Sequence, residues 1–114
     1  MNNTSIVKGL NADLAEMRNI SELGEVLSRL EANSDWKKLI DEEYLKNEAV
    51  RLVHLLASPN MQGKEMQETI LGDIRAIGAF RAFLQKVATF GHNAKSRIPE
   101  IEAELEMVNG EDYE

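Results

Sequence analysis

The sequence predicts an all-α protein: a helical hairpin over about Trp36 to Phe90, an additional amino-terminal helix that makes a small three-helix bundle, and an acidic carboxy-terminal tail. Three observations carry that expectation. From Met66 onward Ile70, Ile74, Ile77, Leu84 and Val87 recur at steps of three, four or seven, with Phe80 and Phe83 widening the stripe, which is the period of a helix and not of a strand. Ser58-Pro59-Asn60 breaks the pattern at one place, because proline lacks an amide hydrogen and pushes the residue before it away from helical angles. Aromatics are only 5% of a chain that is 43% hydrophobic, a profile suited to packed helices more than to a large sheet core.

Taken in order, residues 1–9 are polar and without period and read as a flexible lead-in to a helical domain over 10–98. Asn11 precedes the amphipathic series Asp13, Leu14, Met17, Ile20, Leu23, Val26, Leu27 and Leu30, predicting a first helix from Asn11 to Ala32 with Gly24 as a mild weak point. Asn33-Ser34-Asp35 ends it and starts the next, Asn tolerating left-handed angles and Ser or Asp capping a new amino terminus. Trp36, Leu39, Ile40 and Tyr44 then form one apolar patch, and Leu45, Ala49, Leu52, Val53 and Leu56 form a second, slightly rotated one. The rotation suggests one helix serving two neighbours. That arm must stop near Ala57, and Asn60 to Gly63 supply a turn of the length common between antiparallel helices. Beyond Phe90 the pattern weakens at Gly91-His92-Asn93. Pro99 then suits the first turn of a separate short helix carrying Ile98, Ile101, Leu105 and Val108.

Two features of the second arm bear on contacts. Gly72, Ala76, Gly78 and Ala79 are small residues within the apolar region, and glycine costs roughly 0.8 to 1 kcal/mol relative to alanine inside a helix, so close approach by another helix, of the same chain or of another subunit, is expected there. With Phe80 and Phe83 they make a candidate interface. Trp36 joins it as either a core anchor or a contact hot spot. Met61 and Met66, flanking the turn, are either gap-fillers or adaptable contacts. The second feature is charge. Arg75, Arg81, Lys86, Lys95 and Arg97 form a basic run free of acids, opposite Asp41, Glu42, Glu43 and Glu48 of the first arm. Antiparallel folding brings Glu48 level with Arg75 and the 41–43 acids level with Arg81, pairs worth about 0 to 1 kcal/mol each that specify register.

The net charge of -7 belongs to the tail, 99–114, where Glu100, Glu102, Glu104, Glu106, Glu111, Asp112 and Glu114 stand without a base. The other residues balance. Nucleic-acid binding by the whole surface is therefore disfavoured, while Glu100, Glu102, Glu104 and Glu106 make a candidate acidic arm, either solvated or docked on a basic partner. With no cysteine, disulfides and thiolate metal sites are excluded. No apolar run approaches the roughly 20 residues of a membrane span, and the amino terminus lacks the features of a secretory signal, so a soluble product is expected.

The chain offers no chemistry that can be assembled from motifs. His54 and His92 lack partners at metal-ligand spacing, no Ser or Thr sits in a nucleophile motif, and Gly63-Lys64 lacks the glycine spacing of a phosphate loop. No catalytic residue, metal or cofactor is expected, and the chain does not read as an enzyme.

The words Leu30-Glu31-Ala32-Asn33-Ser34-Asp35-Trp36-Lys37-Lys38-Leu39-Ile40, Tyr44-Leu45, Glu48-Ala49-Val50-Arg51-Leu52-Val53, Ser58-Pro59-Asn60-Met61-Gln62 and Ile74-Arg75-Ala76-Ile77-Gly78-Ala79-Phe80 resemble a family of small, all-helical, uncharacterised tailed-bacteriophage proteins often encoded among head-morphogenesis genes. The resemblance covers about Leu30 to Phe90 and supplies no site residue. It implies a structural or assembly protein, in the virion or host cytoplasm, that binds copies of itself or a capsid, portal or scaffold subunit. The alternatives are an early phage effector that binds and inhibits a host protein through the acidic tail, and a nucleic-acid-linked adaptor that uses the basic run.

Overall fold

The computed structural model describes residues 3–112, so Met1 and Asn2 of the expected lead-in and Tyr113 and Glu114 of the expected tail lie outside it. The all-α class holds, with no strand among the described residues. Helix α1 spans Asn3–Ala32, a single turn α2 spans Ser34–Trp36, a π-helix spans Lys37–Glu48, and α3 spans Ala49–Ala57. A 3-10 turn at Pro59–Met61 leads into α4, Lys64–Asp112. The chain divides into two compact units, one of Met1–Ser28 with Lys86–Glu114 and one of Arg29–Gln85.

In the first unit, α1 begins at Asn3 and not at Asn11. Val7 and Leu10 extend its stripe towards the amino terminus, which gives the supposed lead-in a buried side of its own. The seam positions are Val7, Leu10, Leu14, Met17, Ser21 and Gly24 on α1 and Val87, Gly91, Ala94, Ile98, Ile101, Leu105 and Val108 on α4, with the buried Leu27 and the half-buried Ile20, Val26 and Arg97 shielded beside them. Both sets alternate steps of three and four, the seam of a coiled coil. Arg18 beside Glu102 and Gly24 beside Gly91 show that the two strands of the seam are antiparallel. Leu23 and Leu30, expected inside, are 50% and 41% exposed. Ser21 and Gly24 take the seam in their place, since small residues let two backbones approach.

That approach occurs at Gly24 and Gly91. A Cβ built on Gly24 would lie 3.0 Å from the Gly91 Cα, and one built on Gly91 would lie 2.8 Å from the Gly24 Cα. Within the chain no helix approaches Gly72 or Gly78 closely: a Cβ at either meets nothing within 4 Å. The predicted weakening at Gly91-His92-Asn93 is likewise corrected, because Gly91 is a packing position inside an unbroken helix. The separate short helix after Pro99 does not form, and α4 runs through the proline. Proline inside a helix costs about 3 kcal/mol, and packing on both sides of it offsets that cost. Ile98 is half-buried and Ile101 is 1% exposed. The stretch expected as an acidic arm therefore places one of the most buried side chains of the protein.

In the second unit Asn33 is the cap itself. Its backbone is extended, with φ -76 and ψ 132, and its Oδ1 accepts from the Asp35 and Trp36 amides at 2.9 and 3.2 Å. No left-handed residue is needed, and there is none among the described residues. The π-helix that follows explains the rotated apolar patches. Its i to i+5 winding is wider than that of an α-helix and returns every fourth or fifth residue to one side. Trp36, Ile40, Tyr44 or Leu45, and Ala49 keep that spacing and are the half-buried apolar positions. Tyr44 from the first patch and Leu45, Ala49 and Leu56 from the second pack on one cluster of Leu52, Ile70 and Ile77, while Leu39 and Val53 are exposed. Ser58, at φ -68 and ψ 132, ends α3 before Pro59. Gln67 Nε2 ties the turn by donating to the carbonyls of Leu56 at 3.0 Å and Met61 at 2.6 Å.

Thermal melts of two alanine variants separate the two classes of glycine. Gly78→Ala, in open space, is expected to stabilise by about 0.5 to 1 kcal/mol through helix propensity. Gly91→Ala forces backbone apart and is expected to destabilise by about 1 to 3 kcal/mol; equal gains at both sites would refute the close approach. For the tail, Ile101→Ala is expected to cost about 2 to 5 kcal/mol in urea unfolding. A loss below the error of that experiment would return 99–112 to the role of a solvated arm.

Candidate interaction site

The candidate interface residues do not form one surface. Phe80 is half-buried, with its ring edge-on to Tyr44 at 5.8 Å and 73°. Met61 is half-buried against the Leu52, Ile70 and Ile77 cluster. Trp36 is half-buried too, and its Nε1 is buried without an acceptor among the described residues. Leaving such a donor unpaired costs about 1 to 3 kcal/mol. The others face outward: Met66 is 48% and Phe83 57% exposed, and Gly72, Ala76, Gly78 and Ala79 are exposed. Met66 lines an open groove of about 270 Å³ with Leu55, Met61, Glu65, Thr69 and Ile70, apolar apart from the Glu65 and Thr69 side chains.

The basic run is spent mostly on contacts within the chain. Arg81 donates to the Leu45 carbonyl at 3.4 Å and not to the acids at 41–43. Lys86 Nζ lies 5.9 Å from the centre of the Phe90 ring, a cation–π distance. Arg97 Nη1 donates to Glu100 at 3.0 Å and Glu104 at 3.1 Å, so the last residue of the basic run and two residues of the acidic arm share one ion-pair network. Those carboxylates raise the Arg97 pKa, Glu104 first. Glu102 pairs with Arg18 at 3.4 Å. Arg75, Lys95 and Glu106 are exposed.

Glu48 was expected opposite Arg75. It pairs instead with Arg51, whose Nε and Nη2 donate at 2.7 and 2.6 Å. A partner three residues along the same helix is already in reach, and no tertiary register is needed to place it. The hydrogen bond from Arg51 holds the Glu48 carboxyl below the usual range, outweighing desolvation, and the Arg51 charge adds to it. Among the described residues no group of three potential ligands could hold a metal ion, and no helix is long and apolar enough to cross a membrane.

What the geometry offers is therefore outward-facing apolar side chains on helices. Ten large hydrophobic residues are exposed, against seven buried hydrophobic ones, among the described residues. The run of alternate exposures was hidden from periodicity alone, because Leu23, Leu39 and Phe83 sit at spacings equally compatible with a core. Comparison with protein-family models, curated proteins and solved structures gives no match for this chain.

The Glu48–Arg51 pair gives a pH test. A carboxyl whose pKa is lowered on folding adds stability above its unfolded pKa, and that contribution is lost as the pH falls through the lower folded value. In a carboxyl NMR titration, Arg51→Gln is expected to move the Glu48 midpoint upward. An unmoved midpoint would show that the pair does not persist in solution.

Proposed function

We propose that the chain is a bacteriophage structural or virion-assembly protein that works through helix-mediated protein–protein contacts, with no catalysis of its own. The word-level resemblance over Leu30 to Phe90 supplies the setting, and the helical hairpin there, with the amino-terminal helix, is the contact module. The observation that carries the contact reading is the surplus of exposed large side chains: Leu39, Met66, Phe83, Phe90 and Met107 are each close to half exposed or more. Such side chains, left open on the helices of both units, are the ones available for contact with another protein. The acidic arm weighs against a free acidic lure for a host protein, since Glu100, Glu102 and Glu104 are already paired with Arg18 and Arg97. Those same pairs take charge from the basic run and weaken an adaptor role on nucleic acid.

Quantitative mass spectrometry of infected lysate, precursor shells and mature particles tests the assignment. Retention at a fixed ratio to the major shell protein, in either kind of particle, is the expected result. Abundance in lysate with absence from both particles would overturn it and favour the host-directed effector.

A further inference from the structure

Nine asparagines stand in the chain, and only Asn109 is followed by glycine. That pair has a chemistry of its own. The side-chain amide carbon of an asparagine lies close to the backbone nitrogen of the next residue, and a side chain on that residue obstructs attack by the nitrogen. Glycine has no Cβ to obstruct it and gives the backbone the widest choice of angles. The other asparagines precede Asn, Thr, Ala, Ile, Ser, Glu or Met, and two of them spend their amides on the fold: Asn33 Oδ1 accepts from the Asp35 and Trp36 amides, and Asn47 Nδ2 donates to Glu43 at 3.1 Å.

The helix around Asn109 controls access to the attacking geometry. Regular helical angles keep the Gly110 nitrogen in the backbone ladder and away from the side-chain carbon, so the turn must open first. Asn109 and Gly110 lie in the last described turn of α4, 109–112, and both are exposed. Three features weaken that turn. Glycine is the poorest helix former after proline. No base stands in the turn to complement the negative end of the helix dipole. The last four carbonyls of a helix have no partner within it. Packing does not hold the turn shut either, because the seam ends at the half-buried Val108.

We propose that Asn109-Gly110 is a site of spontaneous deamidation, which turns an amide at the end of the α1 and α4 seam into a carboxylate. When the turn opens, the Gly110 nitrogen gives up its proton to solvent base and attacks Cγ of Asn109. The new C–N bond forms as the bond from Cγ to Nδ2 breaks, and Nδ2 leaves as ammonia with a proton taken from solvent. One water then opens the five-membered imide. Opening at Cγ gives aspartate on an unchanged backbone. Opening at the backbone carbonyl gives isoaspartate, whose chain runs through Cβ and Cγ and is one carbon longer. No oxidant or reductant enters. Either product adds one negative charge, and it arises in an open groove of about 440 Å³ that Asn109 shares with Thr4, Val7, Lys8 and Asn11. Lys8 is the one base of α1 ahead of Arg18, so the charge appears beside the cation placed to receive it. Isoaspartate also throws the helical ladder out of step, and α4 then ends at Val108.

The full chain, held at body temperature and mildly alkaline pH, is expected over days to gain the mass that separates a hydroxyl from an amino group and to shift towards acid on isoelectric focusing. Peptide mapping is expected to place the change at Asn109 and to find aspartate and isoaspartate there. The rate is expected to rise with pH and to stay within about tenfold of that in the free peptide 104–114, since terminal turns open at little cost. Gly110→Ala, which obstructs the attack and strengthens the helix, is expected to slow the gain several-fold, and Asn109→Gln to abolish it. A chain of unchanged mass after the free peptide has reacted to completion overturns the proposal. So does a gain that maps to another asparagine or that persists undiminished in Gly110→Ala.

Discussion

A helix that stays unbroken from Lys64 to Asp112, although Pro99 has no amide hydrogen to give to the ladder, is the constraint on which both units depend, since α4 brings buried apolar side chains to each, Ile70 and Ile77 to one and Ala94 and Ile101 to the other. The helix survives two glycines in its first half, Gly91 past its middle, Pro99 and, near its end, Gly110. Propensity opposes each of these. What holds them is the three-and-four spacing from Ile77 through Phe80, Leu84, Val87, Gly91, Ala94, Ile98 and Ile101 to Leu105 and Val108, which keeps one face of α4 out of water over its whole second half. A break at Pro99 would turn Ile101, among the least exposed side chains of the protein, out of that face.

Small residues divide into those that are used and those that are not. Gly24 and Gly91 meet with less than a methyl group's room between backbones, and Ser21 and Ala94 beside them are buried. Such a contact gains dispersion between two backbones that larger residues would hold apart. Gly72 and Gly78 face open space within their own unit, so their cost in helix propensity is not repaid by any contact within the chain. The two classes look the same in a list of residues. Only the partner helix distinguishes them.

The surface tells the same story in charge. Among the described residues most of the ion pairs join residues three to seven apart along continuous helical chain, as in Glu48 with Arg51 and Arg97 with Glu100 and Glu104, and Arg18 with Glu102 ties α1 to α4. All are exposed and each adds little. The energy of the fold therefore lies in the seams, and so does its capacity for contact: the same helices that bury Leu14, Leu52 and Ile101 leave Phe83 and Phe90 standing in solvent.

The sequence by itself determined the helical class, the stop at Ala57 before Ser58-Pro59, the apolar face of α4 and the lack of any catalytic motif, because these depend on local angles and on a period that a single helix displays. It also marked the rotation between the Trp36 and Leu45 patches, though not the π-helix over Lys37–Glu48, whose Tyr44 and Leu45 pack on Leu52 of α3 and on Ile70 and Ile77 of the facing helix. The candidate interface was legible only as a list of residue types: Phe83 and Met66 turned outward and Phe80 turned onto Tyr44, a choice made by one step of helix phase. Which glycines touch, whether the acidic end is an arm or a seam, and which flank of α1 stays open were decided by tertiary structure. A helix has several faces of similar hydrophobicity, and the one that is buried is fixed by where another helix can approach most closely.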